Sequence, residues 1–116
     1  MARTSSGLGD FEQLVLLALV RLQDEAYGVT IHDEIVRRAG RDVTIAAVYK
    51  TLERLEDKGL IASHLGPPTA ERGGRRKKFF QVQPAGRRVL ASALASLRRM
   101  TDGLAPELDP LPDIEP

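Results

Sequence analysis

Apolar residues fall along this chain as one dense run, two helix-like stripes and two short strand-like stretches. The dense run is Leu14 to Val20, LVLLALV, inside a segment predicted to be helical from Phe11 to about Gln23 with Asp10 as its N-cap. It is apolar around most of its circumference, so both its own domain and a partner are expected to cover it. A second helix is predicted from Tyr27-Gly28 to about Arg38. Val29, Ile31, Ile35, Val36 and Ala39 are its apolar positions, His32, Asp33, Arg37 and Arg38 face out, and Gly40 stops it. Behind Thr44 as N-cap, a third helix puts Ile45, Val48, Leu52 and Leu55 on one core-facing stripe. At about 100° per residue, Ala46, Lys50 and Arg54 then share the opposite side. Gly59 stands where a helix stop belongs.

Leu60 to Leu65 and Lys78 to Gln83 read as strands, and the prolines and glycines of GPPTAERGG break both. Pro84 opens a last helix, where its missing N–H costs nothing. Val89, Leu90, Ala93, Leu94, Leu97 and Met100 form its stripe, and Gly103 ends it. Residues 1–9 are small and polar and are expected to be mobile. Residues 104–116 form an acidic, proline-rich tail too poor in apolar residues to fold alone.

Length and composition narrow the function. A chain of 116 residues fits one domain, and one this small gains from a second subunit's buried area. The absence of cysteine excludes disulfide, zinc-thiolate and thiol-nucleophile chemistry. The longest apolar run has seven residues, far below the ~18–20 that span a bilayer, and no signal-peptide pattern opens the chain. A soluble, cytoplasmic protein with no membrane partner is expected. Net charge is only +1, but five acids and no bases follow residue 100, so positions 1–100 hold 17 basic against 11 acidic residues. Between Glu71 and Arg88 the ratio is seven to one. No enzyme is expected. His32 and His64 lack metal-ligand spacing, Glu53, Glu56 and Asp57 lie on a solvated helix face, and neither a GxxxxGK(S/T) loop nor GxSxG occurs. No metal or cofactor is implied.

A turn between two helices, then a basic hairpin, is the layout of a winged helix-turn-helix. The predicted class is α+β, mainly α, with that domain over residues 10–83 and a dimerisation helix over 84–103. Ala46 permits close approach to DNA, and Lys50 and Arg54 offer charge, with an intrahelical ion pair as the rival role for Arg54. Tyr49 either packs or bonds a phosphate, while Tyr27 reads as structural. In the wing, Arg75, Arg76, Lys77 and Lys78 cannot all face one way on a strand, so two or three would reach phosphates. Phe11, Leu14 and Leu17 of the first helix and Leu90, Leu94, Leu97 and Met100 of the last are the expected homodimer interface. Two third helices could then enter successive major grooves of an inverted-repeat operator, ~34 Å apart.

The phrases LVLLALVRL, DEAYGVTIHDEI, TIAAVYKTLERLEDKGLI and RRKKFFQVQPAGRR follow one another with these gaps. In that order the chain resembles the PadR family of bacterial transcriptional regulators, from about Leu14 to Met100. The resemblance implies that the third helix is a recognition helix, the hairpin a wing and the C-terminal helix a dimerisation element. It assigns DNA contact to Thr44, Ala46, Ala47, Tyr49, Lys50, Arg54 and the basic wing, and repression of a nearby promoter as the function. The family usually carries proline after the recognition-helix tyrosine; Lys50 stands there and adds a cation. The C-terminal region is short, as in the smaller members. Two other readings stay open. A small-molecule effector could bind the dimer interface, although the chain lacks tryptophan and only Phe11 lies near. A winged helix that binds protein would need an apolar patch on the third helix, which Ala46, Lys50 and Arg54 do not supply.

Overall fold

Helix α1 (Asp10–Leu22) leads through a single 3₁₀ turn (Gln23–Glu25) into α2 (Gly28–Ala39) and α3 (Ile45–Asp57). Strands β1 (Ile61–Pro68) and β2 (Arg76–Val82), helix α4 (Pro84–Thr101) and one last helical turn, α5 (Ala105–Leu108), complete the order. The computed structural model describes residues 7–68 and 76–108. Most of the predicted mobile N-terminus, the wing tip with Arg75 and the end of the acidic tail lie outside the described residues.

Local chemistry sets the helix ends. Gly9, not Asp10, is the α1 N-cap, and the Glu12 carboxylate accepts from the Gly9 amide at 3.0 Å. Asp10 is drawn away because its carboxylate binds Arg41. Thr30 Oγ1 accepts from the Tyr27 amide at 3.0 Å at the start of α2, and Gly40 closes that helix in the left-handed region. Thr44 caps α3 as predicted, accepting from the Ala47 amide at 3.0 Å. Gly59, at φ 76°, donates to the Glu56 carbonyl, and Leu60 donates to that of Leu55. These two bonds form a Schellman stop, and only glycine takes that φ without strain.

The core is built where α1, α2 and α3 meet. Leu16, Ile31, Leu52, Leu55, Val15 and Val48 are its largest fully buried side chains. Phe80 of β2 and Leu90 of α4 join the same cluster. Helix α1 is thus covered by α2 and α3 and also by β2 and α4 of its own chain, which leaves Phe11, Leu14, Leu17 and Val20 partly buried.

Four further predictions need correction. Ile45 is 39% exposed, because burial on the α3 stripe begins a turn later, at Val48. On α2, Val29 and Val36 are 50% and 38% exposed for a similar reason: apolar periodicity names a face but not its cover. Leu90 lies in its own protomer's core, 5% exposed, and cannot serve a dimer interface. The prolines do not break the first strand, which continues through Pro67 to Pro68. A two-stranded ribbon is all edge, and the irregularity between Leu65 and Pro68 accommodates residues without an N–H donor.

The ribbon pairs antiparallel from Ile61↔Val82 to Leu65↔Lys78 and is tied to the helices at its base. The Phe80 amide donates to Ala26 at 2.9 Å, and Tyr27 bridges Phe79. Helix α4 starts at the same end of the ribbon, where the Gln83 amide donates to the Leu60 carbonyl at 2.9 Å. A Cβ built on Gly86 would lie 2.2 Å from that carbonyl oxygen. Backbone cannot yield as a flexible side chain can, so α4 must recede. Gly86→Ala is therefore expected to cost about 1–3 kcal/mol of stability, seen as a lower urea midpoint with the slope retained; an unchanged midpoint would refute the contact.

Candidate nucleic-acid interface

Helix α3 changes character along its length. Its first half exposes Ile45, Ala46, Tyr49 and Lys50, with Thr44 before them and Ala47 half-buried. Lys50 makes no ion pair among the described residues. In the second half Glu53 and Asp57 are exposed, and at about 100° per residue they share the outward side with Ala46 and Lys50. That side is therefore small, then cationic, then acidic, whereas the predicted side ended on Arg54.

Arg54 is turned aside. Its Nε donates to Glu12 Oε2 at 3.2 Å, and Lys58 Nζ lies 3.1 Å from the same oxygen. The rival intrahelical pair does not form; the partner lies 42 residues away in sequence. Glu12 itself is 6% exposed. Burial alone would raise its pKa, but the Gly9 amide, Lys58 and Arg54 donate to the carboxylate and together hold it below the ordinary value. Arg54 of α3 and Lys58 just past its end are thus committed to α1.

The turn into α3 is pinned as well. His32 Nε2 donates to the Val43 carbonyl at 2.9 Å, and its Nδ1 lies 3.1 Å from Asp33 Oδ1. Asp33, then the Val43 carbonyl, raise the imidazole pKa, because the charged ring can donate to both.

The wing brings its charges out on both faces of β2. Arg76, Lys77 and Lys78 are all exposed. Arg76 Nε donates to the Gly66 carbonyl at 2.8 Å, which holds its guanidinium across the irregular part of the ribbon. Lys77 Nζ stands 4.8 Å from the centre of the Tyr27 ring, and Lys78 Nζ 5.7 Å from that of Phe80. Phe79 packs edge-on against Tyr27 and stacks on His64, its partner across the ribbon. Tyr27 does act structurally, as predicted. Its neighbour Gly28 lies directly under Tyr49, whose hydroxyl would be 2.0 Å from a Cβ there. The base of the wing and the exposed flank of α3 therefore meet at the start of α2. Arg75 lies outside the described residues.

The expected dimer residues divide. Leu97 and Met100 are 53% and 75% exposed at the end of α4, whereas Leu94 is partly buried and Leu90 fully so. Leu14 and Leu17 line an open groove of about 310 Å³ between α1 and α2, with Ile35 and Ala39 opposite and Arg21 and Arg38 at its sides. The Arg38 guanidinium, with Arg37, also binds Glu34 and lowers its pKa.

Sequence reasoning missed Glu12 and the exposure of Ile45. An acid at the third position of an apolar helix signals a cap, but nothing local names Arg54 and Lys58 as its further partners.

Three helices with a cationic two-stranded ribbon beside the third define a winged helix-turn-helix. The chain matches the Transcriptional regulator PadR-like family over residues 16–92 and belongs to it. That family consists of transcriptional regulators and not enzymes. No curated protein matches the chain. Among solved structures it is similar to a PadR-family regulator from Eggerthella lenta at 28% identity, covering 84% of this chain and 82% of that one with a TM-score of 0.62. A PadR-family regulator from Clostridium difficile shares 22% identity over 85% of this chain and 97% of that one, TM-score 0.66. The Bacillus subtilis PadR crystallised with operator DNA shares 21% over 72% of this chain and 46% of that one, TM-score 0.61. Among the described residues no helix is long and apolar enough to cross a membrane.

The Glu12 tie has a pH signature. A carboxylate held below its ordinary value of 4.5 stabilises the fold above that value, and the contribution is lost as pH falls through the depressed one. The urea midpoint should therefore fall as pH drops from about 5 through the depressed value, and less steeply in Glu12→Gln; parallel profiles would show that Glu12 is not held by these partners.

Proposed function

We propose that the protein is a cytoplasmic, homodimeric, sequence-specific DNA-binding repressor of a nearby promoter. The observation that carries this reading is the meeting of the exposed first half of α3, ending in Lys50, with the exposed cations of β2 across Tyr27 and Gly28. A helix can enter the major groove by that half while the ribbon follows the phosphates. Thr44, Ala46, Ala47, Tyr49 and Lys50 are the helix contacts in this reading, and Arg76, Lys77 and Lys78 the wing contacts, with Arg75 beside them. Arg54 contributes little, because Glu12 already holds it. The dimer forms through Phe11, Leu14 and Leu17 of α1 together with Leu94, Leu97 and Met100 of α4. The two-fold axis then matches an inverted repeat. A dimer seated on a promoter represses by occupying the polymerase's site.

Titration of the protein against duplexes from the DNA upstream of its own gene tests this. Lys50→Ala should weaken binding by ~1–3 kcal/mol if it touches a base, and Arg54→Ala by clearly less. The logarithm of affinity should fall with that of salt, by about 0.9 per phosphate neutralised. Replacing Lys77 and Lys78 by alanine should make that slope shallower by about one to two per wing while shifting preference among sequences less than Lys50→Ala does. Equal affinity and slope in all variants would refute the assignment.

The dimer has its own test. Leu97→Asp with Met100→Asp removes nothing from the protomer core, so the variant should stay folded yet become monomeric in light scattering at micromolar concentration. It should lose operator binding together with the dimer. A wild-type monomer would contradict the reading.

A further inference from the structure

We propose that Ile45 determines sequence specificity by seating against the C5-methyl group of a thymine in the major groove. This rests on the DNA-binding reading above and adds what the helix reads there. Ile45 is the first residue of α3 and 39% exposed, although the periodicity of the helix assigns it to the core stripe. Among the described residues nothing covers its outer surface. A β-branched residue adds little to helix formation, so propensity does not account for the part of the side chain left outside the core.

Its surroundings fit a small apolar target set among anions. Tyr49, one turn on and 46% exposed, shares the flank, its ring held up over Gly28. Ala46 beside them carries only a methyl group, so a surface can come close. Lys50 follows on the next turn, and Lys77 stands over Tyr27 beyond Gly28. The ledge of Ile45 and Tyr49 is two side chains wide, far smaller than the patch a protein partner would bury. In a DNA major groove the exposed apolar group is the thymine methyl, and aliphatic side chains contact it.

The experiment begins with duplexes that the wild-type protein selects from a randomised library. Each thymine of the selected duplex is then replaced by uracil, which pairs identically but lacks the methyl group. Wild type should lose about fourfold in affinity per half-site at one such position, the worth of burying one methyl carbon. Ile45→Ala should bind the thymine and uracil duplexes equally and match wild type on uracil, in titrations run well below its melting temperature. Ile45→Val should keep part of the discrimination. If no thymine is sensitive to uracil, or if Ile45→Ala retains the full penalty, Ile45 does not read the methyl group although DNA binding stands. A library from which nothing is enriched overturns both readings.

Discussion

Leu60 is the residue on which the positions of three elements depend. Its amide closes α3 by donating to Leu55, its side chain is buried, and its carbonyl accepts from Gln83 and lies against Gly86. The end of the third helix, the first rung of the ribbon and the start of α4 are therefore referred to one peptide. The left-handed turn at Gly59 is what brings Leu60 round to that place. A longer or shorter α3 would rotate β1, and with it the wing, relative to the helix. Coupling through short backbone bonds of 2.9–3.0 Å leaves little freedom for such a shift.

Against that rigid frame the charge distribution on α3 gains meaning. Arg54 and Lys58 converge on one buried carboxylate of α1, which would be costly to desolvate if left unpaired. The same pairing draws Arg54 away from the helix's outward side. Glu53 and Asp57 then make the far half of α3 acidic toward anything approaching it. Attraction to an anionic partner falls to Lys50 and the wing, and the first half of the helix is left for close contact. In the proposed reading, phosphate attraction and base reading are thus divided between the ribbon and the helix.

Features fixed by a few neighbouring residues were legible in the sequence. Thr44 as a cap, Gly59 as a stop and Pro84 at the first turn of α4 each rest on bonds within about five residues, and all three stand as read. Features fixed by distant partners were not. The Arg54–Glu12 pair spans 42 residues, and local rules offered Arg54 only neighbours on its own helix. The apolar stripes show a third kind of failure. Leu90 and Leu97 belong to one stripe of α4, and Ile45 and Val48 to one stripe of α3, yet one member of each pair is buried and the other is not. Periodicity gives direction around a helix axis; where the core ends along that axis is set by the neighbouring elements. The first strand runs on through Pro67 and Pro68 because a two-stranded ribbon is all edge and tolerates residues without an N–H donor.

The exposed ends of those stripes are the positions the fold leaves free for function. On α4, Leu97 and Met100 extend past the last core contact of the helix, and a small domain gains most from covering such residues with a second copy. On α3, Ile45 extends past the core at the opposite end of the helix, beside Ala46 and close to Lys50. The two differ in their surroundings. The end of α4 continues into residues that expose two further leucines, Leu104 and Leu108. The start of α3 is narrow, bounded by a lysine and by the turn that His32 pins to α2, and so suits a single small group held at fixed distance. An apolar side chain outside the core thus has a different meaning at each site, decided by how much apolar surface and how much charge surround it.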